Sequence, residues 1–210
     1  MDTDLFFPYS LTKKDIKKSG IMFAKAFEKD PVWNKVFNGV NLEDRASFFE
    51  SPARYGLKFG TALASSGNVE GAAVWLPGEH ADMTFMKMLR SGFLFHIPKI
   101  DSELMRQMNI IFAPLKTARH EQMAGSRYIY LFILGVAPEH QGMGIGVNLL
   151  QRLTGEADQK GLPVYLETAT QKNIKMYEKR GFRIVGEIMQ PIIDLPQWAM
   201  LREPKSTGSE

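Results

Sequence analysis

The chain has 210 residues, which is long for one minimal domain and short for two; at ~150 residues per domain it reads as a single domain over about 1–204 with a polar tail. Its content of 44% hydrophobic and 23% charged residues excludes global disorder, and its lack of cysteine excludes disulfide scaffolds, cysteine nucleophiles, thiolate zinc sites and iron–sulfur clusters. A net charge of +3 suits a phosphate-bearing ligand and falls short of the basic stripe of a nucleic-acid binder.

From the N-terminus, MDTDLFFPYS carries acids where a signal peptide needs positive charge. No apolar run approaches the roughly 20 residues of a membrane span, so a soluble cytoplasmic protein without a membrane partner is expected. Leu11 to Glu28 has amphipathic helical spacing, with Ile16, Met22, Phe23, Ala26 and Phe27 as buried positions and Thr12 as N-cap. Asp30-Pro31 breaks it, and Pro31 starts a short helix carrying Trp33 and Phe37. A third helix covers 41–59. The run VEGAAVWL lies between the turn residues of 65–68 and Pro77-Gly78 and predicts a strand.

Residues 81–123 form a Met- and Phe-rich helical insertion, broken at His96-Ile97-Pro98. Its methionines (Met83, Met86, Met88, Met105, Met108) read as adaptable core, or as a flexible wall of an acceptor pocket; the same apolar block offers a surface for a homodimer. The run His120 to Ala124, HEQMA, lacks the second histidine of a zincin, and no metal site is expected.

YIYLFILGV (128–136) is almost wholly apolar and β-prone, as a strand buried on both faces must be, and Gly135 within it suggests a bulge. A glycine turn follows, then a helix with Ile145, Leu149, Leu153 and Ala157, which ends at Gly161. Pro163 opens the strand VYLET. A helix from about Gln171 to Arg180 comes next, with Gly181 at C′, and strand candidates lie in FRIVGEIM and around IIDLPQW.

The stretch from Gln141 to Gly146, QGMGIG, carries the functional signal. Glycines at Gly142, Gly144 and Gly146 let backbone amides approach a ligand, and the following helix turns its free N–H groups to the same place, an anion site suited to pyrophosphate. A tight strand–helix corner without ligand is the plain alternative. Neither Lys nor Ser/Thr follows as a P-loop requires. A dinucleotide fingerprint from Gly142 meets Val147 where it wants glycine or alanine, although Glu167 imitates the ribose-binding acid; this keeps a nicotinamide-dependent oxidoreductase open.

GVAPEHQGMGIGVNLL matches the Q/R-x-x-G-x-G/A signature of the GNAT acyltransferase superfamily, and ETATQKNIKMYEKRGF resembles that family's second motif. Within the family the chain most resembles the puromycin N-acetyltransferase-like branch, through DPVW, AAVWLPG, and VYLET leading into NIKMYEKRGF; the likeness loosens over 80–125. The resemblance implies an α/β fold, a bent mixed sheet flanked by helices whose two central strands splay apart around acetyl-CoA. It puts the pyrophosphate on the amides of Gly142, Met143, Gly144, Ile145 and Gly146, with Gln141 extending the contact. The backbone of Leu134 and Val136 would hold the pantetheine arm, the Val136 N–H polarising the thioester, where loss of one such donor costs on the order of 3–4 kcal/mol.

Asn173 and Tyr177 are four apart and share a helix face. The resemblance puts Asn173 beside the pantetheine arm and makes Tyr177 the acid that protonates the CoA thiolate; packing of Tyr177 beside Ile174 is the alternative. Glu167 is the first candidate base, acting through water, and Glu70 the second. For both, a solvated strand-end acid or a partner for a nearby backbone N–H remains open, and Trp75 reads as core or as acceptor pocket. With no cysteine and no G-x-S-x-G motif, direct transfer in a ternary complex follows, and the resemblance implies an amine acceptor, expected to be a small molecule. A non-catalytic acetyl-CoA sensor and a protein lysine acetyltransferase are the competing functions.

Overall fold

The computed structural model describes residues 8–92, 102–191 and 193–205, with backbone alone at 102–105. The expected break at His96-Ile97-Pro98, the Met105 side chain and most of the polar tail lie outside the described residues.

Local chemistry sets each element in the first half. The Asp15 carboxylate accepts from the Thr12 N–H (2.9 Å) and Thr12 Oγ (2.6 Å), closing a 3-10 turn that leads into α1 (Ile16–Ala26). Ile16, Met22 and Phe23 of α1 are buried, while Ala26 and Phe27 are half-buried. Asp30 caps α2 (Pro31–Val36), accepting from the Val32 and Trp33 N–H groups at 3.0 and 3.1 Å, and Pro31 fills the first-turn position whose N–H has no partner in any helix. Asn41 caps α3 (Leu42–Phe59).

Two strands escaped the sequence reading: β1 (Tyr9–Ser10) and β2 (Thr61–Ala64). Both are too short to show an alternating pattern. The expected strand is β3 (Gly71–Pro77), so Glu70 lies one residue before it. The insertion contains α4 (Phe85–Ser91) and α5 (Ser102–Gln122). Its methionines divide, with Met108 buried and Met83 and Met86 exposed. Then follow β4 (Ile129–Val136), α6 (Ile145–Lys160), β5 (Val164–Thr168), α7 (Gln171–Glu178), β6 (Arg183–Gln190) and β7 (Leu195–Arg202).

Among the described residues these strands form one mixed sheet in the order β1-β2-β3-β4-β5-β7-β6. Phe23, Phe49, Tyr55, Ile111, Tyr130 and Tyr165 build the core on the face covered by α1, α3 and α5; Leu149, Leu153, Ile174 and Tyr177 build the core under α6 and α7. Trp75 belongs to the second core, 2% exposed, and its indole N–H donates to Glu156 at 3.1 Å.

The β4–β5 contact is the only parallel pairing described, and it covers only Ile129↔Val164 and Tyr130↔Tyr165. Beyond those residues the two strands part, leaving Leu131 to Val136 without a ladder on that side. The sheet thus opens toward the C-terminal ends of both strands.

Candidate active site

The gap between β4 and β5 exposes backbone groups whose direction follows from the β3–β4 register. The Gly78 N–H donates to the Tyr128 carbonyl at 2.8 Å and the Ala137 N–H to the Glu70 carbonyl at 2.8 Å, so bonded positions alternate inward from both ends. The two alternations do not meet in phase. Trp75 pairs with Leu131 and Val74 with Ile133, leaving Phe132 as an extra residue. The bulge therefore falls at Phe132, not at Gly135, which pairs in register with Ala72. The bulge shifts the phase so that Ile133 and Gly135 bond to β3, while Leu134 and Val136 turn their N–H and C=O groups into the gap. Gly135 has another reason to lack a side chain: a Cβ there would lie 2.9 Å from the Phe23 ring and 3.2 Å from Ala26 of α1.

At the mouth of the gap lies the glycine turn. Gly142 and Gly144 have φ of 83° and 84°, in the left-handed region that side chains disfavour, and a Cβ on either would meet nothing within 4 Å. The backbone doubles back over an open face. Intrahelical bonding in α6 begins with the Asn148 N–H donating to the Gly144 carbonyl at 2.9 Å, so the N–H groups of Ile145, Gly146 and Val147 precede it and are free for an anion. The first turn of α6 carries no acid to compete. Met143 is exposed, and Gln141 bends back, its amide donating to the Val136 carbonyl at 3.1 Å.

Asn173 and Tyr177 sit on α7, whose N-cap Thr170 accepts from the Asn173 N–H at 3.2 Å. Asn173 is half-buried. Tyr177 is buried with its ring edge-on to Phe182, centroids 5.5 Å apart, and burial raises its pKa above the ordinary phenol value. Its hydroxyl has no hydrogen-bond partner among the described residues and keeps its proton at neutral pH.

Glu167 lies on the opposite face of the sheet. Its side chain is only 6% exposed; Oε2 accepts from the Tyr130 hydroxyl at 2.7 Å, and Oε1 meets the Arg119 guanidinium at 3.3 Å. Burial raises the Glu167 pKa, while Arg119 and Tyr130 pull against that shift. Glu70 has a different environment. Ser65 and Ser66 donate to its carboxylate at 2.6 and 2.7 Å and hold its pKa down at about 2, which makes it a weak base.

Arg119 and Asp82 had no place in the sequence reading. The Arg119 guanidinium stacks over the Tyr130 ring, 4.6 Å from its centroid, and pairs with Asp82 at 3.0 Å. A signal for it existed: Met108, Ile111, Leu115 and Arg119 continue one buried stripe of α5, and an arginine on an apolar stripe requires a buried acid.

Residues 101–182 match the family model described as "Acetyltransferase (GNAT) family". An uncharacterized N-acetyltransferase of Schizosaccharomyces pombe is 28% identical over 203 residues, covering 92% of this chain and 81% of that protein. Arylalkylamine N-acetyltransferase 2 from Aedes aegypti superposes with a TM-score of 0.67 at 15% identity, covering 95% of this chain and 99% of that one. A Corynebacterium glutamicum structure described as histone acetyltransferase HPA2 and related acetyltransferase gives a TM-score of 0.65 at 18% identity, covering 96% and 99%.

Proposed function

We propose that this chain, an acyltransferase of the GNAT family, transfers an acetyl group from acetyl-CoA to a primary amine of a small molecule. The observation that carries the reading is the opening between β4 and β5, with Leu134 and Val136 facing into it and the α6 N-terminus at its mouth. GNAT acetyltransferases take acetyl-CoA as donor. Here the amides from Gly142 to Gly146 would take the pyrophosphate, and Leu134 and Val136 would pair with the pantetheine arm as an added strand pairs with a sheet edge. Gln141 would then act by tying the turn to Val136, and Asn173 by lining the arm.

The faces divide the chemistry. Tyr177 lies on the α6/α7 side and Glu167 on the α1/α3/α5 side, so donor and acceptor would reach the gap from opposite faces. The acceptor ammonium loses a proton through water to Glu167. Its nitrogen bonds to the thioester carbonyl carbon as the Val136 N–H stabilises the oxyanion, and the C–S bond then breaks. The CoA thiolate takes the Tyr177 proton, the phenolate regains it from the product nitrogen, and one proton in total leaves to solvent. The small-amine acceptor is supported by the arylalkylamine enzyme among the structural neighbours.

Calorimetric titration with acetyl-CoA, NADH and NADPH tests the donor, and CoA release with a panel of amines and a lysine peptide tests the acceptor. Micromolar acetyl-CoA binding without nicotinamide binding, and CoA release with small amines, is the expected result. Folded protein that ignores acetyl-CoA refutes the reading; binding without CoA release leaves a sensor; release with the peptide alone makes the chain a protein acetyltransferase.

A further inference from the structure

Glu167 is held by a group from α5, a helix that precedes the glycine turn and the strand that carries Glu167. Arg119 sits near the C-terminal end of α5, its side chain 7% exposed, and one guanidinium nitrogen meets Glu167 at 3.3 Å while another meets Asp82 at 3.0 Å. Asp82 in turn is bonded to His120 at 2.8 Å and lies 3.6 Å from Lys116. Both anchors of the network, Asp82 and Arg119, lie between β3 and β4, where this chain carries α4 and α5. The groups facing Glu167 are Arg119 from α5, Tyr130 from β4 and Tyr165 from β5 itself; Asp82 and Tyr128 act on Arg119. Arg119 is therefore the one cation against this buried carboxylate among the described residues.

We propose that Arg119 is a positioning residue for the acyl transfer: from α5, on the same face of the sheet as Glu167, it clamps the Glu167 carboxylate in place and, through Asp82, makes that clamp depend on how α5 sits against the residues that follow β3. This rests on the reading of Glu167 as the base. Two features point to a clamp with a task beyond packing. A guanidinium shared between two carboxylates fixes the position of both with planar geometry that a lysine cannot reproduce. The Arg119 Nε is also buried beside Glu167 without a hydrogen-bond partner among the described residues, so the guanidinium is held there with a donor that its two carboxylates do not use.

The proton that leaves the acceptor amine would end on Glu167. With that proton in place, the attraction to Arg119 falls and the guanidinium is left to Asp82. The clamp thus loosens in the state that follows deprotonation, and it re-forms when Glu167 returns the proton to water. In this step one N–H bond of the acceptor ammonium breaks and one O–H bond on Glu167 forms, with water relaying the proton; when Glu167 returns it, that O–H bond breaks and the proton passes to solvent water.

The test uses the full chain with Arg119→Gln, Arg119→Lys and Asp82→Asn, and with Glu167→Gln as reference. The Glu167 carboxyl carbon is followed by NMR between about pH 4 and 9, its resonance assigned by its disappearance in Glu167→Gln; this reading needs no acceptor. The midpoint should move up by about one unit or more in Arg119→Gln, return in Arg119→Lys, and move down in Asp82→Asn, whose guanidinium is freed for Glu167. With an amine identified by CoA release, the acid limb of kcat/KM should move with the midpoint. Arg119→Lys should keep that limb while kcat falls about tenfold, for want of a fork spanning both acids. An unmoved midpoint in Arg119→Gln overturns the proposal and leaves Arg119 a packing residue. Full activity of Glu167→Gln together with a moved midpoint removes Glu167 as base, and the positioning role with it, while acetyl-CoA binding and transfer stand. Should Arg119→Gln fail to fold, the Arg119→Lys and Asp82→Asn midpoints decide.

Discussion

The Gln141 side-chain amide donates to the Val136 carbonyl oxygen at 3.1 Å, and this bond joins the end of β4 to the turn that starts α6. One of the two elements would hold the pantetheine arm and the other the pyrophosphate, so the bond fixes the span between two halves of one ligand. Gln141→Ala removes an exposed bond worth about 1 kcal/mol at most, so it should lower folding stability by no more than that and weaken acetyl-CoA binding up to roughly fivefold as the span between the two elements loosens. Gly144→Val acts more strongly. A β-branched residue at φ 84° costs about 1–2 kcal/mol and shifts the backbone that aims the amides. Calorimetry should show at least a tenfold loss of affinity in a folded protein, and an unchanged affinity would remove the pyrophosphate assignment.

Tyr177→Phe separates an acid from a packing residue. Its ring fills the core beside Phe182, which phenylalanine does equally well, while its hydroxyl makes no hydrogen bond to any described residue. Stability and acetyl-CoA affinity should be kept, and turnover should fall by about 100-fold. Wild-type turnover would return Tyr177 to the core.

The sequence made the second half of the fold readable because its signals are local. Gly142, Gly144 and Gly161 adopt the left-handed backbone that makes glycine informative, and Asn173 and Tyr177 stand where helical spacing puts them. Other features depend on partners far along the chain. The bulge sits at Phe132 because β3 and β4 are fixed at both ends with phases that disagree, a relationship no glycine announces. Trp75 joins the α6 core because β3 alternates its faces, and a stretch as apolar as GAAVWL hides that alternation. The bond from Arg119 to Glu167 crosses 48 positions of sequence. Only the acid's strand position and the arginine's helical stripe show separately, and neither names the other.

Glu70 gives a pH signature unrelated to catalysis. The Ser65 and Ser66 hydroxyls hold its pKa at about 2, below the ordinary 4.5, so its contribution to stability is complete above 4.5 and is lost as pH falls toward 2. Glu70→Gln should lower the urea midpoint at pH 7 and converge on wild type near pH 2. Parallel curves across that window would show that the serine bonds add nothing to the folded state. Turnover near neutral pH should survive the change, since a carboxylate with so low a pKa does not take the amine proton.

Gly135 distinguishes two reasons for a glycine in β4. If it supplied a bulge with a ligand-facing N–H, Gly135→Ala would keep the N–H, leave α1 undisturbed, and affect chiefly acetyl-CoA binding. The register instead directs its backbone to Ala72, and a Cβ would strike the Phe23 ring at 2.9 Å and Ala26 at 3.2 Å. Phe23 is fully buried and stacks on Phe27, so it has little room to retreat. Gly135→Ala should therefore destabilise the fold by about 1–3 kcal/mol, and Gly135→Val by more, because α1 must lift from the sheet. Reducing Phe23 to leucine in the Gly135→Ala background should recover part of the loss, a coupling that urea unfolding of the two single variants and the double variant would measure. Strict additivity of the two changes would show that the α1 contact is not what Gly135 provides.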